Sequence, residues 1–138
     1  MTIFIDAAVL MYAAGSEHAL RSACRQIMLR IADGAVEGVI SVEVVQEVLH
    51  RYLSIGQPAL ARAVAIDALD TFAPVLPISH AVMRRVPDLA ERYPRLDARN
   101  LVHVATCIHE GIGGIVSPDT GFDQVAEVRR IDPLAFGA

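Results

Sequence analysis

The chain has 138 residues, of which 54% are hydrophobic, and it carries a formal net charge of −4. This length suffices for a domain with a real hydrophobic core, and we predict a single domain over residues 1–138. No uninterrupted apolar run is long enough to span a bilayer, and the acidic balance argues against broad electrostatic binding to nucleic acid.

The first half of the chain opens on a short apolar run, Thr2–Ile5, which predicts a strand that ends at Asp6. Apolar residues then recur at helical spacing over Glu17–Ala32, and the Asp33-Gly34 pair ends this predicted helix. The next predicted elements are a second β-rich run and two helices, at Gly38–Val42, Val42–Leu53 and Pro58–Phe72.

The second half continues this alternation. Pro74–Ile78 predicts a weak strand, and Ser79 is placed to cap a helix that runs to about Arg92. A helix from Asp97 to Gly111 comes next, and the last predicted elements are a strand, a turn or short helix, and a strand, at Ile115–Ser117, Asp119–Val125 and Val128–Ile131. Short strands that alternate with longer helices imply a three-layer α/β/α sandwich with a short, mostly parallel central sheet.

The cysteines and the N-terminus indicate the compartment. Cys24 and Cys107 are far apart and lack the spacing of metal ligands, which favours buried thiols in a reducing cytoplasm. The N-terminal segment has no basic leader and contains Asp6, which argues against a signal peptide. We therefore expect a cytoplasmic protein that is not associated with a membrane.

All 12 basic residues are arginines. The lack of lysine excludes chemistry that requires a catalytic lysine amine. The mutational bias of a GC-rich genome explains most of this lack. The planar guanidinium group of arginine suits bidentate contacts to phosphate. A local groove lined by arginine could therefore hold RNA despite the negative net charge.

Asp6 and Asp119 each follow a predicted strand, Asp119 across Pro118. Ligands of open parallel sheets bind beyond the carboxyl ends of the strands. Taken alone, each aspartate is more typical of a residue that caps the next helix. Because both lie at the same predicted edge of one sheet, we treat them together as a candidate site.

Glu47 is a third acidic residue near this edge. It lies about one turn inside the predicted helix Val42–Leu53 and borders the apolar stripe of that helix. This position alone is more typical of a boundary side chain that reaches water. Its closeness to the helix start, and hence to the edge that holds the aspartates, favours a role in the site.

Carboxylates that converge on one crevice repel each other, by about 4 kcal/mol per pair at about 4 Å and an effective dielectric constant of about 20. A bound cation removes this conflict, and hard oxygen ligands select Mg²⁺ or Mn²⁺. The five histidines show no zinc-site spacing, and they are His18, His50, His80, His103 and His109. A di-iron bundle would need the Glu47–His50 pattern twice, so neither zinc nor di-iron is predicted.

The stretch RLDARNLVHVATCIHEG contains Asp97 and Asn100, and the sequence assigns them different roles. Asp97 is placed to cap the helix, and Leu96 and Leu101 then have the spacing of a hydrophobic staple. Asn100 becomes the third helical residue and is directed at the strand-end crevice. We therefore predict that Asp97 is structural and that Asn100 belongs to the site.

Three stretches of the sequence resemble a known family. The stretches FIDAAVLMYA, ISVEVVQEVLHRY and LDARNLVHVATCIHEGIGGIVSPDTGFDQVAEVRRIDP resemble PIN-domain ribonucleases, in particular the VapC toxins of bacterial toxin–antitoxin modules. The resemblance implies a Rossmann-like α/β/α fold, an acidic Mg²⁺ or Mn²⁺ site and endonucleolytic cleavage of RNA. It also implies a homodimer and a cognate VapB-type antitoxin.

Position by position, Asp6, Glu47 and Asp119 match the family's acids, and Asn100 stands where the family has its third acid. The resemblance implies that these four residues are catalytic and that Asp6, Asn100 and Asp119 hold the metal. It also makes Arg99 a candidate contact for RNA phosphate.

The departures from the family pattern concern activity more than fold. Ala7 and Ala8 replace a hydroxyl residue and a frequent asparagine after the first aspartate, and Pro118 is a milder departure. Asn100 has the form of an inactivating substitution or of a naturally weakened site. A second reading is therefore a non-catalytic PIN-like module that binds an antitoxin or RNA without cleavage.

Two other classes fit less well. A receiver-like phosphoacceptor domain generally needs a lysine near its acidic site, and this chain has none. A haloacid-dehalogenase-like phosphatase needs Asp-x-Asp after its first strand, and Asp6-Ala7-Ala8 lacks the second aspartate.

Overall fold

A computed structural model describes residues 1–136 and contains a four-stranded sheet in the order β2-β1-β3-β4. The strands are β1 (Thr2–Ile5), β2 (Glu37–Val39), β3 (Gly114–Val116) and β4 (Arg129–Ile131). All pairings are parallel, with Phe4 opposite Val39 on one side and opposite Ile115 on the other. The helices are α1 (Ala7–Ala14), α2 (Arg21–Ala32), α3 (Val42–Ser54), α4 (Pro58–Thr71), α5 (His80–Arg92), α6 (Ala98–Glu110) and α7 (Pro133–Phe136), with a 3₁₀ helix at Thr120–Gln124.

The direction of the connections explains the layers. A parallel bridge between Ser41 and Leu76 extends the sheet beyond β2. Crossovers between parallel strands are right-handed. As the chain moves outward from β1 to β2 and then to Leu76, this rule places α1 to α4 on one face of the sheet. The chain then crosses back to β3 on the other side of β1, and the same rule places α5 and α6 on the opposite face. The helix contacts agree, because α1 touches α2, α3 and α4, and α5 packs on α6. The predicted α/β/α sandwich is confirmed.

Burial is deepest at the centre of the sheet and in α6. Phe4 and Ile5 in β1 are fully buried, as expected for a central strand that is covered on both faces. In α6 every residue from Asn100 to Cys107 is buried. The polar side chains of Asn100 and His103 therefore lie inside the protein and not on its surface.

Several predicted boundaries were wrong. The strand predicted at Pro74–Ile78 is reduced to the bridge at Leu76, and the helix predicted at Glu17–Ala32 begins at Arg21. Helix α1 was not predicted, because its sequence AAVLMYAA is apolar almost throughout and lacks a polar face. The turn or short helix predicted at Asp119–Val125 is a 3₁₀ helix at Thr120–Gln124.

None of the helices within residues 1–136 is both long and apolar enough to cross a bilayer.

Cys24 and Cys107 are free and buried, and burial raises the pKa of Cys24 to about 11 and that of Cys107 to about 12. Both thiols of the native protein should therefore react with iodoacetamide more than about 100-fold more slowly near pH 8 than they do in the unfolded chain. Mass spectrometry after a timed pulse, with and without denaturant, measures the ratio. Rapid labelling of either thiol in the native protein would contradict the burial.

Candidate active site

The candidate site lies at the carboxyl ends of β1 and β3. Asp6 follows β1, and its backbone N–H donates to the carbonyl of Val116 in β3 at 3.1 Å. Asp6 occupies the N-cap position of α1, but its side chain makes no capping hydrogen bond. Asp6 as a whole is 4% exposed, and its carboxylate instead accepts a hydrogen bond of 2.6 Å from the hydroxyl of Ser117. Helix capping therefore does not explain why an aspartate stands at position 6.

Ser117 also links Asp6 to Asp119. Its hydroxyl oxygen accepts a hydrogen bond of 3.0 Å from the backbone N–H of Asp119. Asp119 uses its two carboxylate oxygens differently: Oδ1 caps the 3₁₀ helix by accepting from Gly121 N at 2.8 Å, and Oδ2 accepts from Asn100 Nδ2 at 2.9 Å. Asp119 is thus both a cap and a member of the polar cluster.

The predicted register of α6 is confirmed. Asp97 is the N-cap, and its Oδ1 accepts the backbone N–H of Asn100 at 2.8 Å. Leu96 and Leu101 are both buried in the core, as the predicted staple requires. Asn100 is the third residue of the helix and is 9% exposed, and its side-chain amide reaches Asp119.

His103 is the residue that the sequence reasoning missed. It is fully buried, and its Nε2 lies 3.2 Å from Glu47 Oε1 and 3.7 Å from Asp6 Oδ1. The sequence analysis predicts no site role for it, because the spacing of the five histidines fits neither a zinc site nor a di-iron site. The usable signal was the separation of three residues between Asn100 and His103, which places both on the same side of α6.

The basic residues that lie near Glu47 belong to α6. Besides His103, the guanidinium group of Arg99 lies 3.9 Å from Glu47 and 3.7 Å from Glu43. The Arg99 side chain is 31% exposed, so these long contacts leave part of it open to solvent. It thus holds a positive charge beside the acidic residues.

Burial raises the pKa of the Asp6 carboxyl above its ordinary value, and the negative charge of Glu47 adds to the rise. The neighbouring His103 and the hydrogen bond from Ser117 oppose it. Asp6 Oδ1 is buried and has no hydrogen-bond partner among residues 1–136. An unpartnered carboxylate oxygen beside a second acid is a costly arrangement that a cation would relieve.

A cavity of about 650 Å³ brings the predicted residues together. Its lining includes all four predicted site residues, Asp6, Glu47, Asn100 and Asp119, as well as Asp97 and Arg99. The prediction that their side chains would meet at one edge of the sheet agrees with this geometry. The carboxylates and the arginine side chains on its wall make the cavity suited to an anionic ligand bound through a cation.

Asp6, Glu47 and His103 each offer one potential metal-ligand atom, and these atoms lie within 4.8 Å of one another. The carboxylate oxygens fit a hard divalent cation. A histidine that ligates metal normally donates its other ring N–H to an acceptor, but His103 Nδ1 has no partner in the described part of the chain. His103 is therefore better placed to donate from Nε2 to Glu47 than to bind metal.

Comparison with known proteins gives consistent results. Residues 3–128 match the family model for the PIN domain. Ribonuclease VapC7 of Mycobacterium tuberculosis is 32% identical over 139 residues, covering 98% of this chain and 94% of that protein. A VapC ribonuclease of Mycobacterium bovis is 28% identical over 129 residues, covering 94% of this chain and 98% of the relative.

Among solved structures, VapBC2 from Rickettsia felis bound to a DNA fragment from its promoter has a TM-score of 0.74 at 12% identity, covering 95% of this chain and 98% of that chain. The likeness at this identity concerns the fold alone.

Proposed function

Because the chain belongs to the PIN-domain family, we propose that it is a metal-dependent endoribonuclease and the toxin of a VapBC-type toxin–antitoxin module. We propose further that residues 1–138 form one PIN-like domain. The observation that carries this proposal is the meeting of Asp6, Glu47, Asn100 and Asp119 in one cavity at the carboxyl edge of a parallel sheet. The relatives named as ribonucleases support the choice of RNA as substrate.

In this proposal, Asp6, Asn100 and Asp119 hold a Mg²⁺ or Mn²⁺ ion, for which the unpartnered oxygen of Asp6 provides a ligand. Such an ion, when bound, lowers the pKa of a bound water and stabilises negative charge on the scissile phosphate. Asn100 offers a neutral amide in place of a carboxylate, which weakens this site.

The remaining polar groups position the reactants. Glu47 would orient the attacking water and accept its proton, and the hydrogen bond from His103 holds the Glu47 carboxylate in place. Ser117 fixes the carboxylate of Asp6 by donating to it. Arg99, which is partly exposed on the cavity wall, would contact an RNA phosphate.

The proposed partners are a VapB-type antitoxin and a second copy of the chain. The antitoxin is supported by the VapBC complex among the structures of similar fold. An apolar cleft of about 460 Å³ between α1, α2 and α4, lined in part by Leu10, Met28 and Val64, is suitable for an amphipathic segment of such a partner. The two buried, free cysteines fit the proposed cytoplasmic location.

Metal binding provides a test that does not depend on catalysis. Mg²⁺ or Mn²⁺ at about ten times its dissociation constant should stabilise the native state by about 1.4 kcal/mol and raise the melting temperature by about 4 °C. Differential scanning fluorimetry against NaCl of equal ionic strength measures the shift. Equal melting temperatures in metal and in NaCl would count against an intact metal site.

A metal-dependent RNase assay tests the proposed reaction itself. Cleavage of RNA that requires Mg²⁺ or Mn²⁺ and stops on addition of EDTA is the expected result. The alternative function, a PIN-like module that binds without cleaving, is favoured by one observation: the Asn100 amide already occupies an oxygen of Asp119. Binding of RNA or antitoxin without cleavage, even after Asn100 is changed to aspartate, would establish that alternative.

A further inference from the structure

Two aromatic rings lie on the wall of the acidic cavity. The rings of Tyr12 and His18 stack with centroids 4.3 Å apart and an angle of 23° between their planes. Both residues line the cavity that also contains Asp6 and Asn100. Tyr12 belongs to α1 and is partly buried against the core, whereas His18 is exposed on the connection between α1 and α2.

The His18 ring is held in one orientation from two sides. Tyr12 covers one face, and the ring nitrogen Nδ1 accepts a hydrogen bond of 3.1 Å from the backbone N–H of Leu20. In the neutral ring, Nε2 then carries the proton and can donate. An exposed flat ring that is already fixed loses little further freedom when a ligand stacks on it.

We propose that the outer face of His18, backed by Tyr12, is a subsite on which an unpaired RNA base stacks. This inference rests on the proposed function and adds to it a base-binding subsite formed by this ring pair. A base within a duplex has both faces covered by its neighbours, so only an unpaired base can use this ring. Stacking on an aromatic ring tolerates every base, because each base has a π-face.

Arginine side chains on the cavity wall also favour binding of an RNA strand beside His18. Arg51 and Arg99 line the same cavity, and Arg51 is exposed and forms no salt bridge with the residues that the structure describes. These guanidinium groups suit contacts with the phosphates of a strand bound in the cavity. Glu17, beside His18, is the opposing charge on this wall. The backbone would therefore run on the arginine side, with the base turned towards His18.

The test uses a short single-stranded oligoribonucleotide that carries one 2-aminopurine, whose fluorescence falls when it stacks, moved along the strand in successive probes. EDTA is present, so that binding is measured without cleavage. We expect quenching at one position, and His18→Ala should weaken binding about 5- to 150-fold, the range of base–aromatic stacking. His18→Phe keeps a flat ring and should retain the quenching. His80→Ala, which removes an exposed histidine outside the cavity lining, should leave binding unchanged.

The possible outcomes test the stacking subsite and the nuclease activity separately. Unchanged affinity of His18→Ala, equally tight binding of a probe with an abasic residue at the quenched position, or no binding of the probe would overturn the subsite. If quenching and its loss in His18→Ala are observed but no RNA is cut with metal, even after Asn100→Asp, the subsite stands and the nuclease proposal fails. Cleavage of RNA without quenching would leave the nuclease and remove the subsite.

Discussion

Changing Asn100 to aspartate is expected to raise metal-dependent RNA cleavage by about 10²–10³-fold, the scale of one electrostatic contact to a reacting group. The side chain is nearly unchanged in size, while the proposed metal site gains one negative charge. Asn100 is already inside the cavity and next to Asp119, so the new carboxylate needs no rearrangement to join the site. Initial rates of RNA cleavage for the two proteins in Mn²⁺ and in EDTA measure the change.

The same substitution should destabilise the metal-free protein. Asn100 Nδ2 now donates to Asp119 Oδ2 at 2.9 Å, and aspartate would replace this hydrogen bond by a contact between two carboxylates. The expected loss is about 2–4 kcal/mol of unfolding free energy in EDTA, with a larger gain on adding metal than the unaltered chain shows. Paired denaturation curves in EDTA and in Mn²⁺ measure both quantities.

Asp97→Ala is the matched control, because Asp97 lines the same cavity but caps α6. It should cost about 1 kcal/mol in EDTA and in metal alike, through the lost capping hydrogen bond. If Asp97→Ala instead abolished the response to metal with the fold intact, while Asn100→Asp changed nothing, the proposed roles of the two residues would be reversed.

Asp6→Asn should have opposite effects on stability and on cleavage. In the Asn100→Asp background we expect cleavage to fall at least about 100-fold, because stabilisation by a bound metal is worth several kcal/mol. The metal-free protein should become more stable, because Asp6 is 4% exposed and its Oδ1 has no partner in the described chain. Asp88→Asn, which neutralises an exposed acid in α5, should change neither quantity.

The stability effect should depend on pH. Because burial raises the pKa of Asp6, the native state binds this proton more tightly than the unfolded chain does. The resulting contribution to unfolding free energy is fully present below the ordinary value of 3.8 and is lost as the pH rises through the raised pKa. Asp6→Asn lacks this loss, so its advantage over the parent in EDTA should grow with pH. An advantage that is constant with pH would argue against a strained carboxylate at position 6.

Features that depend on neighbouring residues were readable from the sequence. The caps formed by Asp97 and Ser79 each involve a partner three residues away, and both follow from local rules. The meeting of Asp6 and Asp119 was also predictable, because parallel strands end at a common edge. These two kinds of rule located most of the candidate site without any knowledge of packing.

The contacts that complete the site join distant parts of the chain. Ser117 and Asp6 are 111 residues apart, and His103 and Glu47 are 56 apart. No local pattern encodes which buried side chains meet when α6 packs against α3 and β1, so the partner of Glu47 was not identified. Helix α1 was missed for a different reason: its sequence AAVLMYAA lacks the alternation of polar and apolar residues that reveals a helix.

The start of α6 allows position 100 to change without loss of the helix cap. The cap uses the side chain of Asp97 and only the backbone of residue 100, so the helix begins equally well with aspartate or asparagine there. A single base change that exchanges these two amino acids would tune the toxicity of the proposed nuclease while the surface offered to an antitoxin stays intact. A lineage could thus keep a weakened toxin and its partner gene together, and recover full activity by one reversion.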